Sequence, residues 1–394
     1  AFVGDLNCEV LNRLQTLDVS SWSEVATLLA RSLETKEIQL WFSREDEQKT
    51  AQSFGWTGEW SDAGTFATLG VVGANIAGQK SDAVIREQTH QRVQIDASGM
   101  VTERVLLARE HLGAPEQLFH GANNVQYLRL YAPLGSTLLS AEGFERPSAA
   151  LFEPSTEKEA PFPGLPTTRT VDSGNGEIVD VGEELGRMVM GGWIQLRPGT
   201  SRETAFSYRL PRSTQDMARS LLEGVEGEAA TDAYVLQLQS QAGAPRQHRL
   251  EIAFPATWQI VQLSPGLKLV GAGTLVWEQS ALEQDQTIFA LFSRYASSNL
   301  NTPKRTPKTV AKRTKSSART ARDASLRDEL EGLYAIDGQV GDMTISAPAK
   351  GRWLRRAALV APLAVLMQVI VVHGIPWMQR VLNRPEFVVF RIGE

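Results

Sequence analysis

The spacing of apolar and polar residues changes along the chain, and this change predicts its fold. Between residues 20 and 42, apolar side chains recur at helical spacing, which predicts an amphipathic helix that leads into the short apolar strand IQLWF. A second helix is expected from Arg44 to Phe54, and TLGVVGANIAG is then typical of a strand followed by a glycine-rich loop. We therefore expect residues 1–90 to form a small α/β unit.

From residue 91 onward, apolar and polar residues alternate, as they do in half-buried β-strands. The segment around Asp96–Gly99 has such residues on both sides of a turn sequence, which predicts a hairpin. Further short strands with turn signals between them continue to about Tyr295 and favour antiparallel sandwiches of immunoglobulin type. Because one such domain takes about 100 residues, we expect two, at 91–212 and 213–300. The predicted fold class is α+β and mainly β.

Two segments lack this alternation. Pro147–Gly176 contains five prolines and is predicted to be a long surface loop of the first sandwich. Pro303–Arg322 has eight basic residues and no acidic one, so the linker 301–342 is predicted to be disordered.

The C-terminal segment 343–394 contains an apolar run from Ala357 to Trp377. Only Gln368 and His373 are strongly polar among its 21 residues, a length that predicts a transmembrane helix. The alternative is an amphipathic or buried terminal helix.

Charge and cysteine content narrow the function classes. The chain has 394 residues with 40 Lys and Arg against 45 Asp and Glu, but residues 1–300 carry a net charge of −13 and residues 301–394 a net charge of +8. This excludes a basic nucleic-acid-binding body, so no nucleic-acid partner is expected. A single cysteine, Cys8, excludes a disulfide scaffold. Ala1 is not a methionine and no signal-like segment follows it, so we expect a truncated or processed start.

Familiar catalytic and cofactor motifs are absent from the sequence. Its five histidines form neither HExxH nor another paired metal-binding spacing. GxSxG, the P-loop and a GxGxxG after a strand are also missing. We therefore assign no catalytic residue, metal ligand or cofactor from the sequence.

The loop from Asn75 to Asp82 is the first candidate site. Asn75, Lys80 and Asp82 bring three different polar groups within eight residues, beside two glycines, and could converge on a polar ligand. The alternative is structural, because Asn tolerates left-handed turns, and Asp and Lys can cap and pair within them.

The segment NVQYLRLYAPLG contains the second candidate site. Alternation places Leu128 and Leu130 on one face of a strand and Tyr127, Arg129 and Tyr131 on the other. Two aromatic rings and a guanidinium group could form a platform on which sugar rings lie flat. The alternative is a covered face, or ordinary cross-strand contacts between aromatic and Arg residues.

An ordered series of motifs resembles a bacterial surface family known as domain of unknown function 4012. The series begins with the helix that leads to KEIQLWF and continues with GWTGEW, GVVGANIAGQKSD, the hairpin that begins at Arg92, QYLRLYAPLGS, GGWIQLRPGTSRETAFSYRLP, and YVLQLQSQAG with HRLEIAFP. It covers roughly residues 10 to 295. The resemblance implies a membrane-anchored protein whose domain lies outside the cell. Genes of this family often lie near genes for extracellular polysaccharide. It implies no particular activity.

We therefore expect a non-enzymatic, membrane-tethered extracytoplasmic protein that binds or organises cell-surface polysaccharide or its export machinery. The membrane contact is assigned to Ala357–Trp377. The alternative is a glycan-modifying enzyme that uses carboxylates near the Asn75–Asp82 loop.

Basic residues before the apolar run favour a cytoplasmic location for the N-terminal side of that run, by the positive-inside rule. This conflicts with an external body, so we expect that the tail is foreign to the preceding domain.

Overall fold

The computed structural model describes residues 2–60, 64–76, 78–151, 168–172, 177–223, 230–243 and 246–294. A boundary between compact units falls between Gly58 and Glu59. The predicted linker 301–342 and apolar run Ala357–Trp377 lie outside the described residues. Across the described ranges, no helix is both long enough and apolar enough to cross a membrane.

The described residues of the first unit form helices joined by irregular segments. The unit contains α1 (Phe2–Gln15), α2 (Val19–Glu34) and α3 (Glu45–Ser53). The side chain of Asp18 caps α2 by accepting a 2.8 Å hydrogen bond from the backbone N–H of Ser21. The predicted helix at Arg44–Phe54 is confirmed, but the predicted strand IQLWF is irregular.

The expected α/β unit at residues 1–90 is therefore wrong. A lone apolar segment needs a neighbouring strand to satisfy its backbone groups, and Leu40 finds only one such contact, from its N–H to the carbonyl of Trp56 at 2.8 Å. The strand predicted at TLGVVGAN does form, but it belongs to the second unit.

Over its described residues, the second unit is a β-sandwich with one α-helix, α4 (Thr214–Leu221), between the ninth and tenth strands. Ser213 and Asp216 cap α4 reciprocally. The fifteen strands are β1 (Ala67–Asn75), β2 (Ile85–Ile95), β3 (Val101–His111), β4 (Asn124–Pro133), β5 (Thr137–Glu142), β6 (Thr168–Asp172), β7 (Ile178–Glu184), β8 (Arg187–Leu196), β9 (Ser201–Arg209), β10 (Asp232–Gln239), β11 (Arg246–Ala253), β12 (Gln259–Leu263), β13 (Lys268–Leu269), β14 (Thr274–Leu282) and β15 (Gln286–Ser293).

These strands form two sheets. Sheet A has the order β12-β15-β10-β1-β4-β8-β7-β6, and sheet B the order β13-β14-β11-β2-β3-β9-β5. The mainly β prediction is confirmed, as is the β2–β3 hairpin. In that turn Asp96 Oδ1 accepts from the N–H groups of Ser98 and Met100, at 2.8 and 3.0 Å, while Gly99 takes a φ of +91°.

The division into two successive sandwiches is wrong. Strand β1 pairs in parallel with β10, with Ala67 opposite Leu236, and β2 pairs in parallel with β11, with Gln91 opposite Leu250. Each sheet therefore combines strands from both predicted sandwiches, 91–212 and 213–300. Alternation identifies a strand but not its partner, and a parallel partner can be distant in sequence.

The predicted loop Pro147–Gly176 is only partly irregular. Thr168–Asp172 forms β6 at the edge of sheet A and pairs with β7. Residues 152–167 and 173–176 lie outside the described ranges.

A carboxyl group holds the facing sides of the two sheets together. Glu103 of β3 is fully buried and accepts hydrogen bonds from the hydroxyls of Tyr208 and Tyr234, at 2.7 and 2.8 Å, and from Gln91 Nε2 at 2.9 Å. Tyr234 belongs to sheet A, whereas the other three residues belong to sheet B. Burial raises the pKa of Glu103, against the effect of its three donors.

Replacing Glu103 by alanine is expected to destabilise the sandwich strongly. Two hydroxyls and one amide would lose their acceptor, and each unsatisfied buried group costs about 1–3 kcal/mol. We expect Glu103→Ala to lower the free energy of unfolding by more than about 3 kcal/mol, measured by urea titration with circular dichroism. The matched control is Glu251→Ala, on β11 of the same sheet, whose side chain is 37% exposed. Its effect should stay within about 0.5 kcal/mol, and equal losses in both variants would contradict the assigned role of Glu103.

Candidate binding surface

The side chain of Asn75 closes the Asn75–Asp82 loop by bonding to the backbone of the residues that follow it. Asn75 Oδ1 accepts from the N–H of Gly78 at 2.6 Å, and its Nδ2 donates to the carbonyl of Gln79 at 3.2 Å. Lys80 has an exposed side chain, and its N–H donates to the carbonyl of Phe119 at 3.2 Å. The two bonds of the Asn75 side chain are typical of asparagine in a turn. They support the structural interpretation of Asn75.

Asp82 lies against a buried polar pair. Its Oδ1 accepts from Asn124 Nδ2 at 2.6 Å and lies 4.0 Å from Arg109 Nη2. The Arg109 side chain is only 2% exposed, and its Nε donates to Glu87 Oε2 at 2.9 Å. The other oxygen of Glu87 contacts the guanidinium of Arg246. Both oxygens of Glu87 are thus used in ion pairs with buried arginines.

The second candidate site lies on the side of sheet A that points away from sheet B. We call this side the outer face; it contains Tyr127, Arg129 and Tyr131 of β4. Leu128 and Leu130 point to the opposite side and are completely buried. The predicted two-sided alternation of β4 is therefore present.

Two carboxylates of β7 bind the side chains of this face. Tyr127 donates from its hydroxyl to Asp180 Oδ2 at 2.6 Å, and Tyr131 donates to Glu184 Oε2 at 2.8 Å. Arg129 Nη1 lies 3.3 Å from the same Glu184 oxygen. Burial, reinforced by the bond to Asp180, raises the pKa of the Tyr127 phenol. The hydroxyl therefore stays protonated and continues to donate at physiological pH.

One tryptophan at each end of the site packs against a tyrosine of β4 and forms an aromatic cluster with it. The Trp60 ring centroid lies 4.9 Å from that of Tyr131, and the Trp193 centroid lies 5.0 Å from that of Tyr127 in an edge-on arrangement. The buried guanidinium of Arg187 lies 4.7 Å from the Trp60 centroid. Such contacts fix the orientation of the rings.

Glycines allow these rings to lie directly on the sheet. A Cβ atom at Gly70 would overlap the indole of Trp60, and one at Gly191 would overlap the hydroxyl end of Tyr127. Gly191 stands between Arg129 on β4 and Asp180 on β7 in the strand register. Tyr127 therefore reaches Asp180 across a strand position that has no side chain.

Sequence reasoning found the β4 residues but missed Trp60, Trp193, Asp180 and Glu184. Alternation alone could place Trp193 on one face of its strand, but not opposite Tyr127. The glycine pair in GGWIQL was a usable signal, because glycine inside a strand often marks the close approach of another group.

The outer face is polar and partly open to solvent. The Arg129 side chain is 40% exposed and that of Glu184 is 20% exposed. Tyr127, Trp60 and Trp193 are half-buried, and Tyr131 is buried. Among the described residues, no three His, Cys, Asp or Glu side chains are grouped as metal ligands. The side chains of this face can form hydrogen bonds, stack against flat groups and carry charge.

Comparison with known proteins gives only distant structural similarity. No protein-family model matches the chain, and no curated protein is similar to it in sequence. A putative nutrient binding protein from Legionella pneumophila is 6% identical, with a TM-score of 0.31 over 58% of this chain and 72% of that one. An M1 zinc metallopeptidase from Deinococcus radiodurans is 12% identical, with a TM-score of 0.24 over 52% of this chain and 42% of that one. At these TM-scores neither similarity assigns a function.

A double-mutant cycle tests the contact between Tyr127 and Gly191. Gly191→Ala is expected to destabilise the protein because the new methyl group displaces the Tyr127 ring and its bond to Asp180. In a Tyr127→Ala background the same change should be neutral or stabilising, since alanine is the better residue inside a strand. The expected interaction energy is about 1 kcal/mol or more, measured by urea unfolding. An equal cost of Gly191→Ala in both backgrounds would contradict the contact.

Proposed function

We propose that this protein is a non-catalytic glycan-binding protein, held at the membrane with its sandwich outside the cell, and that the outer face of sheet A binds the glycan. The observation that carries the proposal is the arrangement on β4. Arg129 lies between two aromatic clusters, and both neighbouring tyrosines have hydroxyls anchored on carboxylates.

This arrangement suits the chemistry of sugars. One side of a pyranose ring presents C–H groups that stack on aromatic rings, while its hydroxyls need donors and acceptors around the rim. Arg129 supplies several N–H donors in a fixed geometry, and Asp180 and Glu184 supply acceptors. The tyrosine bonds hold both carboxylates in place before a ligand arrives, which lowers the entropic cost of binding.

The positions of the carboxylates favour binding over glycoside hydrolysis. Asp180 and Glu184 are four residues apart on β7, so their Cα atoms are about 13 Å apart along the strand. The carboxyl groups of glycosidases face each other about 5–9.5 Å apart across the scissile bond, whereas Asp180 and Glu184 follow one another along a single strand and are held by Tyr127 and Tyr131. Asp82, the acid of the alternative enzymatic hypothesis, lies 4.0 Å from Arg109, which is itself paired with Glu87.

The location rests on the sequence. The apolar run from Ala357 to Trp377 supports a membrane tether. The resemblance to the surface family supports an extracytoplasmic body and a partner among cell-surface glycans or polysaccharide-export proteins.

Polysaccharide binding by the full-length chain tests this function. We expect binding to immobilised polysaccharide to weaken about tenfold or more in Trp193→Ala and in Arg129→Ala, equivalent to about 1.4 kcal/mol. Trp41→Ala is the matched control, because Trp41 is 72% exposed but lies in the helical unit. Equal weakening in the Trp41 variant, or none in the Trp193 and Arg129 variants, would overturn the proposal. Release of reducing ends, assayed on the same polymers, would instead favour the enzyme.

A further inference from the structure

The layout of the outer face narrows the class of glycan, if the proposed glycan binding holds. We infer that this face takes a neutral, extended glycan chain that lies along β4, and that it excludes acidic polymers and single sugars. Two observations carry this inference, namely the separation of the aromatic clusters and the charges between them.

The separation of the clusters requires an extended ligand. Tyr127 and Tyr131 are four residues apart on β4, so the Trp193 and Trp60 clusters lie about 13 Å apart along the strand. One sugar ring cannot stack in both places. A chain that contacts both must pass over Arg129, whose guanidinium then faces the hydroxyls of a central ring.

The neighbouring strand β1 leaves room for such a chain. Its residues opposite Tyr131, Arg129 and Tyr127 are Gly70, Val72 and Ala74 in the strand register. These are small or medium side chains, and on the other side of β4 Gly191 stands opposite Arg129. Next to Arg129, β1 therefore carries only the medium-sized Val72, while the ring of Tyr127 lies over Gly191 on the other side.

Charge sets the class of polymer. Asp180 and Glu184 present two carboxylates, and the partly exposed guanidinium of Arg129 already has Glu184 as its ionic partner. The carboxylates of a uronic acid polymer would meet this pair and be repelled, since like charges across an interface disfavour the wrong partner. Neutral sugar hydroxyls can instead donate to both groups.

The experiment compares three ligands with the full-length chain by affinity electrophoresis and competition. The probes are a linear neutral β-glucan, polygalacturonate and free glucose. We expect retention by the β-glucan, no retention by polygalacturonate, and competition by β-glucan oligosaccharides but not by glucose. Stronger retention by polygalacturonate would overturn the neutral class, and glucose competing as well as oligosaccharides would overturn the extended mode.

Charge-removing variants separate this inference from the proposed function. Glu184→Gln keeps an oxygen for Tyr131 but loses the charge, so polygalacturonate should now retain the protein. Glu251→Gln, on sheet B, should leave the exclusion of polygalacturonate unchanged. Unchanged exclusion of polygalacturonate in Glu184→Gln would overturn the charge argument alone. β-Glucan binding that is insensitive to Trp193→Ala would overturn the proposed function itself.

Discussion

The carboxyl group of Glu103 is the contact on which the arrangement of the sandwich depends. It lies between the sheets and takes hydrogen bonds from both of them, through Tyr234 on one side and Tyr208 and Gln91 on the other. Tyr234 supplies the bond that crosses between the sheets, and the bonds from Tyr208 and Gln91 hold the carboxyl group in place on sheet B, so this directed contact fixes the position of one sheet on the other. Strand β10, far along the chain, is thereby held opposite β3.

Arginine side chains form similar contacts between the sheets near the two ends of β3. Near its start, Arg294 binds the fully buried Asp232 at 2.7 Å and donates to the carbonyls of Ala97 and Ser98 in the β2–β3 turn. Near its end, the buried Arg246 of sheet B reaches the carbonyl of Val71 in sheet A. Polar contacts thus join the two sheets at three positions along β3. The outer face of sheet A can then present aromatic rings and an arginine on a rigid support, as a binding surface requires.

The sequence predicts much of the local structure and little of the pairing. Alternation correctly separates Leu128 and Leu130 from Tyr127, Arg129 and Tyr131, because side-chain direction in a strand is a local property. Partner choice is not local. The parallel pairs β1–β10 and β2–β11 join residues more than 150 positions apart, such as Gln91 and Leu250, so the two predicted sandwiches merged into one. The same limit hid Asp180 and Glu184, which reach the site from another strand, and Trp60, which reaches it from an irregular segment before β1.

Native-state hydrogen exchange on the full-length chain tests most directly whether the sandwich is one cooperative structure. The slowest amides of β2 and β3, from the first half of the sandwich, and of β11 and β14, from the second half, should open with the same free energy. In Glu103→Ala both sets should lose the same amount of protection. Different opening free energies for the two halves, with only β2 and β3 affected by the substitution, would show two independent domains and contradict this account.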